Sequence, residues 1–447
     1  MGDYSSLYKY EKYEVFGDEI VPLGIFSVDG DGTMPVVVKY DCDQECGCQE
    51  PIYRWIQTED TICVYVPPTP VSAKFRLTLS DSTTVSAECD STSAITSGEV
   101  ATQYSGTVVS AEIGNCVTSI SNRAFRRCTG LTNCTIGSGV TSIGTEAFRD
   151  CRNLSSIDIP NSVTSIGDRA FQYCYSLTSC AIGSGVTSIG TDVFIGCSSL
   201  SSITVNANST VYDSRNNCNA IIETSTDMLV QGCKNTVIPN TVTSIGNSAF
   251  LECYYLENIV IPSSVTSIGQ NAFQVCSSLS DITIPDSVTS IGSYAFSDCR
   301  SATSITIGNG ITTIGYASFL NCISATTLTI GNNVTSIGVS AFQNCEALTS
   351  ITIPNSVTTI GEDAFNACLY ATSLTIGSGV TYIGEDAFSN CGRLQSITIN
   401  AATPPTLVYK YEFYDTNCPI YVPSGSVNAY KTATNWSEYA SRIQAIP

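Results

Sequence analysis

The feature that most constrains this chain is a period. One pattern restarts at Val117, Val140, Val163, Val186, Val242, Val265, Val288, Ile311, Val334, Val357 and Val380. Every step is 23 residues except that from Val186 to Val242, which is 56 and so holds 33 residues more than the period. A fixed period over eleven copies is the signature of a solenoid, in which each copy buries its apolar face against its neighbours.

The unit reads V-T-S-I-G-x-x-A-F-x-x-C-x-x-L-x-x-I-T-I, then P-x-S or G-x-G, and is complete at residues 334–353. Two short extended segments are expected in it. The opening Val-Thr-Ser-Ile is β-branched, and the closing Ile351-Thr352-Ile353 alternates as a half-buried strand does. Between them Ala364, Phe365 and Cys368, in the copy at 357–376, recur at short helical spacing and predict a helix of one or two turns. Gly361 before them suits a positive φ or a tight corner. Glu362 and Asp363 suit the positive end of a nascent helix. The expected fold is therefore an α/β solenoid of about eleven stacked rungs.

These residues, namely VTSIG, AF, the cysteine three after Phe and LTSITI, resemble the BspA-like (treponemal-type) leucine-rich repeats of bacterial surface proteins. The resemblance spans about 117–399. It implies adhesion or interaction without catalysis, and no cofactor.

The expected domains are a β-rich attachment module over 1–66, a stiff Pro-rich linker at 67–70 and an N-terminal cap over 71–116. Repeats follow over 117–399 with an irregular insertion at about 206–238, then a C-terminal cap over 400–447. In the first module 36–40, 53–56 and 61–66 read as strands. Cys48-Gln-Glu-Pro-Ile-Tyr-Arg-Trp-Ile and Thr61-Ile-Cys-Val resemble attachment modules of phage tail and adhesin proteins. In the first cap 74–79 and 84–89 read as strands, and Thr96 with Glu99 as a capping box opening a short helix. Within the insertion, 220–223 and 228–231 read as a hairpin. Trp436 and Tyr439 are expected to cover the last rung.

Charge and composition exclude several functions. A net charge of −20 argues against nucleic acid and anionic membranes. The chain has no histidine, which removes histidine bases and ligands. No apolar run is long enough for a membrane helix, and the first residues lack the pattern of a signal peptide. No phosphate-cradling glycine loop and no nucleophile elbow is found. The adjacent acids Glu362-Asp363 and Glu385-Asp386, expected at helix starts on a convex surface, read as helix-end charge rather than as a glycosidase pair.

Of 22 cysteines, eleven share one phase, from Cys128 to Cys391, and read as buried apolar thiols. Rung-to-rung disulfides are not expected, because helical segments would hold the Cα atoms too far apart. Cys134 and Cys180 replace a strand isoleucine. Cys42, Cys46 and Cys48, with Cys63, lack paired zinc arms and leave free thiols, a local disulfide or a metal open; no metal site is assigned. The Asp-Gly-Asp-Gly-Thr run at 29–33 reads as a turn rather than a calcium loop.

Function is left to the outside of the stack. The outward strand position is nearly always threonine (Thr135, Thr204, Thr283, Thr306, Thr329, Thr352, Thr375, Thr398), a lattice suited to ice or a repetitive glycan as well as to strand formation. The residues after Gly, Phe and Cys vary between copies. Tyr175, Tyr254, Tyr255 and Tyr370 stand among them and are the candidate ligand-binding residues. The expected function is adhesion or receptor binding, on a phage tail or virion surface, or alternatively on a bacterial cell surface or as a spacer. Expected partners are a host surface glycan or protein, and other assembly proteins through residues 1–66. No membrane insertion is expected, and a homo-oligomer is open.

Overall fold

The computed structural model describes residues 73–89 and 94–447 in full. Ahead of these it describes the backbone of the strands Tyr13–Phe16, Glu19–Pro22, Val36–Tyr40, Ile52–Ile56 and Thr61–Val64. The chain divides into two units, Met1–Val71 and Ser72–Pro447. In the first, Tyr13–Phe16 pairs antiparallel with Glu19–Pro22, and Val36–Tyr40, Ile52–Ile56 and Thr61–Val64 form an antiparallel sheet in that order. The side chains of Cys42, Cys46, Cys48 and Cys63, the 29–33 run and the 67–70 linker lie outside the described residues.

The second unit is a solenoid of stacked parallel-strand coils. Every copy but that starting at Val242, which has only Ser244–Ile245, contributes two strands, one to each of two ladders. In one ladder Ser142–Ile143 lies between Ser119–Ile120 and Ser165–Ile166; in the other Ser156–Ile159 pairs with Ser179–Ile182, every residue facing its equivalent 23 positions on. Register is fixed because a slip of one residue would turn the buried isoleucines to solvent. Val, Ile, Ala, Phe, Cys and Leu of each copy line the interior, with Phe125, Phe148, Phe171 and their equivalents fully buried. The Phe rings stack from rung to rung, centroids 5.0 Å apart between Phe125 and Phe148 and 4.8 Å between Phe250 and Phe273.

The predicted helix is replaced by turns. Where Ala-Phe-x-x-Cys was expected to be helical, the backbone makes consecutive turns with two left-handed residues per rung, such as Ser340 (φ 55°) and Asn344 (φ 59°). The reason lies in how the peptide groups are satisfied. In a helix they would bond within the segment; here Phe342 N–H donates to Ala364 O (2.8 Å) and Asn344 N–H to Asn366 O (2.8 Å) in the next rung. The turns thus stack at strand spacing, which a helix, about 10 Å across, cannot do.

Two further expectations change with it. Rungs this close put equivalent cysteines within disulfide reach, so distance does not keep the thiols apart. They are free all the same, ten of the eleven buried and Cys253 half-buried. Nine of the eleven donate instead to a phenylalanine carbonyl of the rung before, for example Cys151 Sγ to Phe125 O at 3.1 Å. Burial pushes the Cys253 thiol up to about 12. The consensus glycine, in turn, needs no positive φ. A Cβ on Gly361 would lie 2.7 Å from Gly338 C and Val339 N, so the residue is small because the rung below is close.

At the N-terminal end Ala73–Leu79 pairs antiparallel with both Thr84–Glu88 and Val108–Ile113, and the last of these starts the parallel ladder. Glu99 accepts from Thr96 N–H (2.6 Å), but the short helix begins only at Ala101, with Val100 as its uncapped start. Glu99 also pairs with buried Lys74 at 3.0 Å. A disulfide joins Cys89 to Cys116, Cα atoms 6.2 Å apart. Within the insertion Ile221–Glu223 and Met228–Gln231 form the expected hairpin, and Met228–Gln231 continues in parallel into Ser244–Ile245. At the other end Trp436 and Tyr439 pack on Phe413, centroids 5.7 and 5.6 Å away, and close the Phe column.

A candidate recognition surface on the turn face

The turn backbone is nearly constant from rung to rung, and its polar groups are spent on the neighbouring rungs. Its side chains are what differ. The position two after Phe is left-handed in rung after rung and carries Arg127 (φ 63°), Asp150 (61°), Tyr173 (61°), Gly196 (71°) and Glu252 (57°). A single backbone therefore displays arginine, carboxylate, aromatic and no side chain at all in adjacent rows.

On the first three rungs this face is rich in arginine. Arg123, Arg126, Arg127, Arg149, Arg152 and Arg169 are six of the twelve arginines in the chain. Two carboxylates beneath them set their geometry. Glu146, 5% exposed, accepts from Arg123 Nε at 2.7 Å and Arg149 Nη1 at 2.5 Å, with Arg126 Nη1 3.5 Å away. Burial alone would push its carboxyl up, but the hydrogen bonds from Arg123 and Arg149 and the Arg126 charge outweigh it and hold it below the usual carboxylate value. Buried Asp150 lies 3.3 Å from Arg152 Nη2, and Asp192 lies 3.5 Å from Arg169 Nη2. The Arg126 and Arg149 Nε atoms and the Oε1 of buried Gln172, which occupy one row of three successive rungs, make no hydrogen bond.

The arginine rows run into tyrosines. The Arg149 guanidinium sits 5.7 Å from the Tyr173 ring centre and that of Arg152 5.8 Å from Tyr175, and the two rings are 5.9 Å apart. Gly196 makes room for Tyr173: a Cβ there would fall 2.5 Å from the ring. The same Cβ would be 3.3 Å from Glu252 Oε2, to which the Tyr254 hydroxyl donates at 3.0 Å. Burial first, then the Glu252 charge, raises the Tyr173 and Tyr254 phenols.

The structure brings two of the four tyrosines singled out from the sequence, Tyr175 and Tyr254, into one patch around the interruption of the array. Tyr255 follows Tyr254 and is 59% exposed. Tyr370 stands apart, in the copy seven on from that of Tyr175 and five on from that of Tyr254, with Arg393 4.3 Å over its ring. Tyr173 and the arginines were missed from sequence, although their density over 123–169 was the available signal. Glu362-Asp363 and Glu385-Asp386 lie on this same face farther along as turn residues, Asp363 and Asp386 both left-handed, and Asp386 accepting from Ser389 Oγ at 2.6 Å. On the strand face, Thr283, Thr306 and Thr329 stand in register, as do Thr352, Thr375 and Thr398. A depression of about 190 Å³ near Asn133, Thr135 and Asp158 lies on that face.

Parallel two-strand rungs, a buried Phe and Leu column and an outward-facing set of variable side chains define a leucine-rich-repeat solenoid. The family model described as BspA type leucine-rich repeat region, in six copies, matches residues 98–221, 230–349 and 335–431, and the chain belongs to that family. A leucine-rich repeat protein from Bacteroides ovatus is similar in structure at 21% identity and a TM-score of 0.54, over 88% of this chain and 100% of its own. One from Eubacterium ventriosum is similar at 23% identity and a TM-score of 0.52, over 68% of this chain and 82% of its own. A leucine-rich cell surface protein of Faecalibacterium prausnitzii is 25% identical over 83% of this chain and 95% of its own, at a TM-score of 0.41. No curated protein matches the chain.

Proposed function

We propose that this chain is a non-enzymatic adhesion protein of a bacterial cell surface, recognising its ligand with the turn face of its repeats and attached to its assembly through residues 1–66. The observation that carries the reading is the pairing of a constant, internally satisfied turn backbone with variable outward side chains, arginine and tyrosine above all. Such a face presents side chains to a partner. The adhesive character of BspA-like repeats supports it. A virion-tail role has only the likeness of the first residues behind it, and the matched repeats lie wholly beyond them.

The reading is tested in two arms. Antibody to the purified chain should decorate the outer surface of producing cells; decoration of virions instead would restore the tail reading. The purified chain should retain host cells or matrix proteins on a coated surface, and should do so less after Tyr254→Ala. Retention equal to an uncoated surface would refute adhesion.

A further inference from the structure

The arginine–tyrosine patch is more specific than a generic contact surface, and its charge singles out a ligand class. Residues 117–176 carry six basic and four acidic side chains, whereas 242–399 carry two basic and ten acidic. Against a net charge of −20, one stretch of the array is locally cationic. We infer that this patch is a binding site for an anionic glycan, a sugar chain bearing carboxylate or sulfate groups; the inference rests on the recognition role proposed above and deepens it.

Three features favour a sugar over other anions. Guanidinium forks match carboxylate and sulfate oxygens in pairs, and Glu146 and Asp150, both buried, hold several of them in place from below. Arg127 is exposed and forms no ion pair among the described residues, so its fork is free for a ligand. The arginines are interleaved with the rings of Tyr173 and Tyr175, which give the apolar face of a pyranose somewhere to rest. Rung spacing adds to this. The Phe rings beneath the patch repeat at 5.0, 5.3 and 5.5 Å, close to the length of one sugar residue, so successive sugars meet successive rungs. The acids facing the patch are Glu146, Asp150, Asp168, Asp192 and Glu252. The first two are buried under the arginines, and Glu252, at the far edge, is engaged by Tyr254.

The test uses the full chain on immobilised heparin (sulfate and carboxylate), polygalacturonate (carboxylate alone) and dextran (neutral). Binding to heparin, with or without polygalacturonate, is expected, weakening with salt, and none to dextran. Retention on heparin alone assigns the site to sulfate; retention on both shows that carboxylate suffices. The exposed pair Arg127→Gln with Arg152→Gln should weaken binding about tenfold, with an unchanged melting curve. Arg300→Gln is the control, since Arg300 occupies the position of Arg152 and pairs likewise, with Asp298 at 2.8 Å, but on an acidic rung. The inference is overturned if neither anionic glycan binds, if dextran binds equally, or if Arg300→Gln loses as much as the double variant. It is also overturned if sedimentation shows self-association that the double variant abolishes while no glycan binds, for then the arginines face the acidic rungs of a second copy. Adherence to cells without glycan binding would remove this inference and leave the adhesion reading; glycan binding without adherence would do the reverse.

Discussion

Single residues in this array are constrained more by the rung beneath than by their own dihedral angles. Gly361 is the clearest case. Its φ is one any residue adopts, yet a methyl group would press on the backbone of Gly338 and Val339 at 2.7 Å. Gly361→Ala should therefore cost about 1–3 kcal/mol, the usual range for overpacking, measured as a fall in the urea midpoint. Gly425 meets nothing within 4 Å, and Gly425→Ala should stay within about 0.5 kcal/mol of the parent. A consensus glycine is visible in sequence, but its cause is not. The letter is the same whether it serves a positive φ or a close neighbour, and only the stacking distance distinguishes them.

At the scale of elements, the strands and the insertion hairpin were legible because each rests on local alternation or on a break in a strict period. Ile351-Thr352-Ile353 reads as a strand and is one. The turn was not legible. Ala-Phe-x-x-Cys has helical spacing, and the left-handed positions are filled by Arg, Asp, Tyr, Glu, Asn, Ser, Ala or Val in every rung but that of Gly196, so no recurring glycine marks them. The disulfide between Cys89 and Cys116 was equally hidden, because pairing among many cysteines does not follow from spacing. The patch was half legible: its tyrosines stood out, whereas the arginines, from different copies, meet only once the rungs are stacked. The insertion also divides the interior. One apolar core runs from Phe75 to Cys233 and the other from Cys218 to Ile443, and neighbouring Ile221 and Ile222 enter different cores. Contacts in such arrays reach only adjacent rungs, so this seam is where cooperativity should fail. Urea unfolding is expected in two steps, with hydrogen exchange changing between residues 205 and 240. Deleting 207–239, 33 residues, returns Val186 and Val242 to the common 23-residue step and should merge the steps. A single transition in the parent chain would show that the seam transmits cooperativity.

For the molecule as a whole, the absence of histidine removes the side chain whose ordinary titration falls between pH 5 and 8. Among the described residues two buried glutamates then shape the acid side of its stability, with opposite signs. Glu146 titrates below its ordinary value because the arginine hydrogen bonds outweigh burial. Its contribution is full above the unfolded value near 4.5 and is lost as pH falls through the lower folded one. Glu412 is fully buried and its Oε2 has no partner, so burial raises its carboxyl above 4.5 despite the Tyr409 N–H at 2.6 Å. The folded state then binds the proton more tightly than the unfolded one, and stability declines as pH rises from 4.5 through the raised folded value. Glu412→Gln keeps the shape and an acceptor while removing that ionisation. It should raise the melting temperature at pH 7.5 relative to the parent, narrow the difference toward pH 4.5, and flatten the parent's decline between them. A variant that melts below the parent at pH 7.5 would mean that the Tyr409, Glu412 and Val408 backbone groups around the carboxylate outweigh its burial, and that the closing end of the array is built around its charge.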